Sequence, residues 1–291
     1  MHELLTPTPP RSRRCGDADA FAARIGRLAV RSLYAELTLY PKPGLVSLVD
    51  NGSHADMNAA TFMRSLFALR GYFVRITLAG LAGAPFAALM ALGIDAETRM
   101  LRATGGINTH RGAIFCLGLL CASIGACHAR GTPLSAAAIR QMLLARWGDN
   151  LALHAAQASG NSHGLQAARQ YSASGARQEA ALGMPSVFRV ALPEMLHTLE
   201  AGGCIRRARI DALFALMANI SDTNLYHRGG SRGALLVREH ARAFLRSGGT
   251  ADPSWEIRAL DCHRIFVAAR LSPGGAADLL AGACLVHGAT G

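Results

Sequence analysis

Apolar residues recur at three- and four-residue spacing through most of this chain of 291 residues, and sustained period-two alternation is hard to find. That pattern puts one apolar stripe on each of a series of helices, and the chain reads as all helix. Hydrophobic residues make up 51% of the sequence but aromatics only 6%. The core must therefore be built mostly from Ala, Leu, Val and Ile, which suits helices packed at short range. Glycine pairs at Gly105/Gly106, Gly202/Gly203, Gly229/Gly230, Gly248/Gly249 and Gly274/Gly275 punctuate the pattern. Helix starts are expected at Asp17, at Asp95 with Glu97 in the first turn, at Thr132 with Pro133, and at Asp252 with Pro253. Connections of a few residues between roughly ten to twelve helices imply an all-α fold, a compact multi-helix bundle. No long linker or repeat appears, so residues 17–291 are expected to form a single all-helical catalytic domain behind a disordered N-terminal tail over 1–16.

The formal net charge of +11 would attract polyanions. The arginines are scattered singly, however, with Arg206, Arg207 and Arg209 the only tight internal cluster, and few aromatics interleave with them. This counts against a nucleic-acid platform or a basic binding module for RNA, and it favours small phosphorylated ligands. Seven cysteines without a Cys-x-x-Cys pair indicate neither a disulfide framework nor a zinc ribbon. The N-terminus lacks a basic segment followed by an apolar run, so a cytoplasmic location is expected. Ile76 to Ile94 carries no charge, but Pro85 interrupts it and Ala and Gly dilute it, so a buried helix pair is expected there and no membrane span.

Against the Ala/Leu background, polar residues concentrate in short blocks beside helix ends. The first runs from Glu36 through YPKPGLV to Asp50 and NGSHADM (Asn51 to Met57). The second, GGINTHRGAIF, sets Asn108, Thr109, His110 and Arg111 just before a strongly apolar helix. NSHG (Asn161 to Gly164) leads into GARQEAALGMP with Arg177 and Glu179, SDTNLYHRGG carries Asp222, Asn224, His227, Arg228 and Gly229, and SPGGAADLLA follows near the end. The second and fourth blocks share Asn, His, Arg and Gly at a helix edge. Amides at a helix N-terminus favour an anion, glycine lets the backbone approach it, and arginine adds a bidentate clamp. Two such loops could grip one polyphosphate. No Walker A loop and no glycine-rich fingerprint after a strand is present, so a triphosphate site must be built differently. Glu36, Asp50, Asp56, Glu179 and Asp222 are candidates to hold magnesium or move protons; magnesium needs only one or two carboxylates alongside phosphate oxygens. His54, His110, His163 and His227 lack the spacing of a zinc site.

Lys42 is the only lysine among thirty Lys and Arg residues. A compact ammonium suits a tight turn or a single phosphate oxygen where the planar guanidinium fork is rejected, and Pro41, Pro43 and Gly44 stiffen and shape the loop that carries it.

In this order the blocks resemble the triphosphoribosyl-dephospho-CoA synthase family. The likeness is carried by PKPGLV with NGSHADM, GGINTHRGAIF, SHG with GARQEA, DTNLYHRGG and SPGGAADLLA, and spans about Glu36 to Ala281. LYPKPGLVSLVDNGSH and HRIFVAARLSPGG resemble the malonate decarboxylase branch more than the citrate lyase branch. Two departures, Met184 for an expected aromatic and Tyr226 for an expected aliphatic residue, fall beside the polar positions. The resemblance implies that ATP loses adenine and its triphosphoribosyl group joins the 2′-hydroxyl of 3′-dephospho-CoA, giving the prosthetic-group precursor for an acyl carrier protein. Within it, Glu36, Asp50, Asp222, His110 and His227 are the expected catalytic residues, with Glu36, Asp50 and Asp222 doubling as magnesium ligands. Lys42, Asn108, Thr109, Arg111, Arg177, Asn224, Arg228 and Gly229 are expected to bind ATP and its phosphates. The competing reading is an all-helical, magnesium-dependent nucleotide or ADP-ribose hydrolase with water as acceptor. Self-association into a homodimer stays open.

Overall fold

The structure, a computed structural model, describes residues 11–157 and 175–291, with side chains from residue 16 onward. Among these residues there are eleven α-helices and no strand. They are α1 (Arg11–Leu37), α2 (Ala59–Leu81), α3 (Phe86–Thr104), α4 (Arg111–Ala129), α5 (Ala136–Ala156) and α6 (Ala176–Ala181) in the first part of the chain. A π-helical turn (Ser186–Ala191) runs into α7 (Leu192–Glu200), followed by α8 (Ile205–Asn219), α9 (Thr223–Arg246), a 3₁₀ turn (Gly249–Ala251), α10 (Trp255–Ala268) and α11 (Gly274–Thr290).

Helix α4 is the axis of the first half. It is buried almost without interruption from Ala113 to Cys127, and α1, α2, α3, α5 and α11 pack around it. It is also long and apolar enough to cross a membrane, yet most of it lies inside the protein. The small-residue composition explains how so many helices reach it. Where α2 crosses α4, a Cβ on Gly80 would run into the backbone of Ala122, and a Cβ on Gly125 would meet the carbonyl oxygen of Thr77. A Cβ on Gly118 would strike the Tyr72 hydroxyl, which instead donates to the Ile114 carbonyl at 2.9 Å. One continuous buried cluster runs from Phe21 to Val286, and its α2 and α4 segments touch at backbone range.

The helix starts differ from the sequence expectation in instructive ways. Asp17 lies inside α1, which already runs from Arg11. Asp95 lies in the middle of α3 because Pro85, in an extended conformation, ends the turn after α2 and lets the apolar Phe86 and Leu89 begin the next helix. Asp95 instead forms ion pairs with Arg75 (2.7 Å) and Arg99 (3.0 Å). Ser135, three residues past Thr132, caps α5 by accepting from the Ala138 N–H at 3.1 Å. Asp252 accepts from the Ser254 N–H just ahead of α10. Ile76–Ile94 is the expected helix pair, broken between Leu81 and Phe86. Gly229/Gly230 does not separate two helices fully; Gly230 (φ 60°, ψ −161°) kinks α9.

Because the α2–α4 crossing is made at backbone range, Gly125→Val is expected to lower unfolding free energy by about 1–3 kcal/mol or more through overpacking. Equilibrium urea unfolding measures it, and an unchanged midpoint would contradict this account of the crossing.

Candidate active site

A cavity of about 1390 Å³ opens where the first turns of α4, α9 and α11 meet the C-terminal end of α1 and the loop that follows it. Asp222 forms the junction. It is the N-cap of α9, where its Oδ1 accepts the Asn224 N–H at 2.9 Å, and its Oδ2 accepts the Ala276 N–H at 3.2 Å in the first turn of α11. A Cβ on Gly275 would sit 3.0 Å from the Asp222 carboxyl carbon, so glycine there lets the carboxylate reach the helix end. Asp278, one turn further along α11, accepts the Ala113 N–H at the start of α4, and it abuts Gly112 so closely that a side chain at 112 would collide with its Oδ2. Burial raises the proton affinity of both carboxylates, and for Asp278 the charges of Glu36 and Asp222 raise it further. Glu36, Asp222 and Asp278 therefore face one small region.

The counter-charge is Lys42. Its side chain is 1% exposed, and its Nζ donates to Glu36 Oε1 at 2.6 Å and to the Glu36 carbonyl at 2.9 Å. Burial pulls the ammonium toward neutrality, and the Glu36 carboxylate opposes that pull. The closed pocket around Nζ has the form of a tight turn built for an ammonium. Beside it lies His110, buried at the N-cap of α4, with Nδ1 2.6 Å from Ser65 Oγ and Phe62 packed edge-on against its ring. Among the described residues its Nε2 has no hydrogen-bond partner, and neither has the neighbouring Thr109 Oγ1. Burial, and then the Lys42 charge, pull the imidazole pKa down to about 3, so the ring is neutral at neutral pH.

Of the residues expected from sequence, Glu36, Lys42, Asn108, Thr109, His110, Arg111, Arg177, Asp222, Asn224, His227 and Arg228 all line this cavity. Several already have partners. Arg111 is paired with Glu97, and its N–H is capped by Asn108 Oδ1 at 3.1 Å. Arg228 donates to the carbonyls of Ser53 (3.1 Å) and Arg270 (3.4 Å) and to His54 Nδ1 (3.0 Å), clasping the loop after α1 onto α9. His54 in turn contacts Ser272 Oγ through Nε2 at 2.8 Å. Asp50 and Gly229 are not among the lining residues. Asp50 turns back on its own loop, accepting from the Gly52 N–H at 2.8 Å, and faces His263 at 3.4 Å. Gly229 lies under the Leu271 side chain, 2.6 Å from where its Cβ would be. NSHG, with His163, lies outside the described residues.

Asp278 is the residue that sequence reasoning passed over. Its only signal is a lone acid in SPGGAADLLA, one turn beyond a glycine pair, where an exposed first-turn acid is the ordinary expectation. Glu179 and Asp56 line the cavity as well, and Glu179 accepts the Ser186 N–H at 2.6 Å. Among the described residues no three His, Cys, Asp or Glu side chains are grouped to hold a metal by themselves. Asp222, a carboxylate facing the cavity, nevertheless fits a magnesium ion that takes its remaining ligands from phosphate oxygens.

Residues 22–290 match the model of the family described as CitG: ATP:dephospho-CoA triphosphoribosyl transferase. The chain is 40% identical over 264 residues to a probable 2-(5''-triphosphoribosyl)-3'-dephosphocoenzyme-A synthase of Acinetobacter calcoaceticus, covering 91% of this chain and 90% of that protein. It is 41% identical over 263 residues to a protein of the same description from Pseudomonas paraeruginosa, covering 89% and 87%. A third, from Vibrio cholerae, is 36% identical over 297 residues, covering 98% and 95%. No solved structure matches the chain.

Two outcomes follow from the geometry. Lys42→Met strands the Glu36 carboxylate, so a loss of about 3–5 kcal/mol in urea unfolding is expected, with the Lys42→Met/Glu36→Leu protein recovering much of it. For His110, the folded pKa of about 3 lies below the ordinary 6.5. The unfolded chain therefore binds the extra proton, and the contribution to stability is complete above pH 6.5 and drains away as pH falls toward 3. Between pH 7.5 and 5 this costs about 2 kcal/mol. His110→Gln should flatten the pH dependence of the urea midpoint; an unaltered slope would refute the assignment.

Proposed function

Because the chain belongs to the ATP:dephospho-CoA triphosphoribosyl transferase family, we propose that it joins the triphosphoribosyl group of ATP to the 2′-hydroxyl of 3′-dephospho-CoA and releases adenine. The observation that carries this reading is the convergence of Glu36, Asp222 and Asp278 with Lys42 at the meeting point of three helix N-termini. Cleavage of the bond between adenine and the ribose anomeric carbon builds positive charge on the sugar, as in glycoside cleavage, and carboxylates in a poorly solvated site stabilise it. The helix ends supply N–H groups and a positive field for polyphosphates without spending a side chain. A cavity of about 1390 Å³ exceeds the roughly 300–1,000 Å³ usual for one small ligand, which suits a donor and an acceptor held together.

In this reading Asp222, fixed by N–H donors from two helices, is the positioned carboxylate that takes the proton of the acceptor hydroxyl. Asp278, whose proton affinity is raised by burial and by the neighbouring carboxylates, is placed to give a proton to departing adenine. Lys42 holds Glu36 in place, and His110 offers its free Nε2 to a substrate oxygen or nitrogen. Arg111, Arg177 and Arg228 line the walls as phosphate ligands that exchange their present partners for substrate, with Asn108, Thr109, Asn224 and His227 beside them. Asp222 would hold magnesium together with phosphate oxygens, and the ion when bound neutralises triphosphate charge. The likeness of LYPKPGLVSLVDNGSH and HRIFVAARLSPGG to the malonate decarboxylase branch supports delivery of the product to that enzyme's acyl carrier protein, with citrate lyase as the alternative.

Adenine release, followed by chromatography with ATP and dephospho-CoA, tests the reading. Asp222→Asn and Asp278→Asn are expected to lose about 10²–10⁴-fold in rate, and Lys42→Arg should be strongly impaired because the fork does not fit the enclosed turn. Full activity in both Asp222→Asn and Lys42→Arg would sink the site. Adenine release at the same rate without dephospho-CoA would make the protein a hydrolase.

A further inference from the structure

Away from the carboxylates the same cavity changes character. Phe86, Met90, Gly93 and Ile94 line it from a single helix, α3, and their spacing places them along one longitudinal face. Phe115 of α4 and His154 of α5 complete this part of the wall, with the His154 ring 5.6 Å from Phe86 and 6.3 Å from Phe115. Met90 and Ile94 are 42% and 60% exposed although they belong to the cavity, so this stretch is an open groove and not a sealed core. Isolated exposed apolar residues are ordinary, but these lie in series on the wall of a site. At Gly93 the nearest atom to an added Cβ is the Tyr72 hydroxyl at 3.9 Å, an ordinary contact, so a Cβ is accommodated between Met90 and Ile94 without a clash.

The groove has a direction. One end is Glu97, held by Arg111, and Arg111 opens the helix whose next two residues contact Asp278. From Glu97 back to Phe86 the helix rises about 16 Å at 1.5 Å per residue. Along this length the wall carries no charged side chain from α3; burial and then the Arg177 charge lower the proton affinity of His154, whose carbonyl accepts from Arg177 at 3.4 Å where α5 closes this part of the wall. A ligand that fills the whole cavity therefore has a highly charged head at the helix N-termini and a long, uncharged, mostly apolar tail along α3. ATP has no such tail, since its adenine is attached to the reacting carbon and must lie beside the carboxylates. An acceptor nucleotide diphosphate bearing a pantetheine arm has one.

We propose that the α3 groove between Phe86 and Ile94 binds the pantetheine arm of the acceptor and so selects it among nucleotides that present a 2′-hydroxyl. This rests on the transfer reaction proposed above, and the test separates the two. Gly93→Leu should fold well, since it replaces a mid-helix glycine with a better helix former where an added Cβ meets no atom closer than 3.9 Å, but it fills the groove. In this variant the KM for dephospho-CoA is expected to rise about tenfold or more while that for ATP stays within about twofold. With ADP as an acceptor lacking the arm, wild type and Gly93→Leu should be equally slow. Ile94→Asp, at an exposed position, should repeat the pattern. Calorimetric titration with 4′-phosphopantetheine reads the groove without catalysis: wild type should bind it and Gly93→Leu should bind about tenfold more weakly or not at all. A rise in the KM for ATP in place of dephospho-CoA would assign the groove to the donor's adenine and overturn the inference. Failure of wild type to bind 4′-phosphopantetheine would overturn it too. Phosphopantetheine binding in a protein that releases no adenine would instead uphold the groove and remove the reaction.

Discussion

The Asp222 carboxylate accepts N–H groups from the first turns of α9 and α11, on residues separated by 52 positions in the chain, and the arrangement of the site depends on this clasp. A carboxylate at a helix N-terminus is stabilised by unpaired amides and by the helix field, and here two helices share it. Glycine at 275 and 112 removes the side chains that would keep acid and helix end apart. Asp278, carried on the same helix, is thereby set against the start of α4, and three helices point their N-termini at one cavity.

Such a concentration of like-charged carboxylates is costly in a poorly hydrated site, and the surrounding side chains reflect that cost. Lys42 offsets one of the three charges through Glu36, at the expense of its own desolvation. His110 is neutral, and among the described residues neither its Nε2 nor the neighbouring Thr109 hydroxyl has a hydrogen-bond partner, which is unusual for buried polar atoms. Strain is present on the far wall as well, where Met184 holds a positive φ of 53° in full burial just before the π-helical turn. Packing of its sulfur 3.8 Å from Cys116 Sγ shows why a flexible thioether can stand where an aromatic was expected.

Much of the fold was legible in the sequence because helical periodicity and small-residue content are local properties. The Ala and Gly bias that announced close-packed helices is the same bias that lets Gly80 and Gly125 bring α2 and α4 to backbone contact. Helix starts were less legible, since Asp95 had the composition of a cap but the apolar face of α3 began earlier, at Phe86 and Leu89. Packing outweighs capping when the two compete, because burying a face of large side chains is worth more than one hydrogen bond.

The blocks of polar residues named the parts of the site, and the order of those blocks carried the family. Which carboxylates face the cavity was decided only by the folded chain. Asp50, inside the first block, is consumed by its own turn, whereas Asp278, a single acid among alanines and leucines, reaches the centre because α11 packs its first turn against α4 and Asp222. The solitary lysine could be picked out from composition, but its complete enclosure and its bond to Glu36 could not. Composition and periodicity depend on neighbours along the chain, while burial, charge pairing and proton affinity depend on neighbours in space. Those spatial neighbours come from helices that start far apart in sequence and bring their N-termini to one cavity.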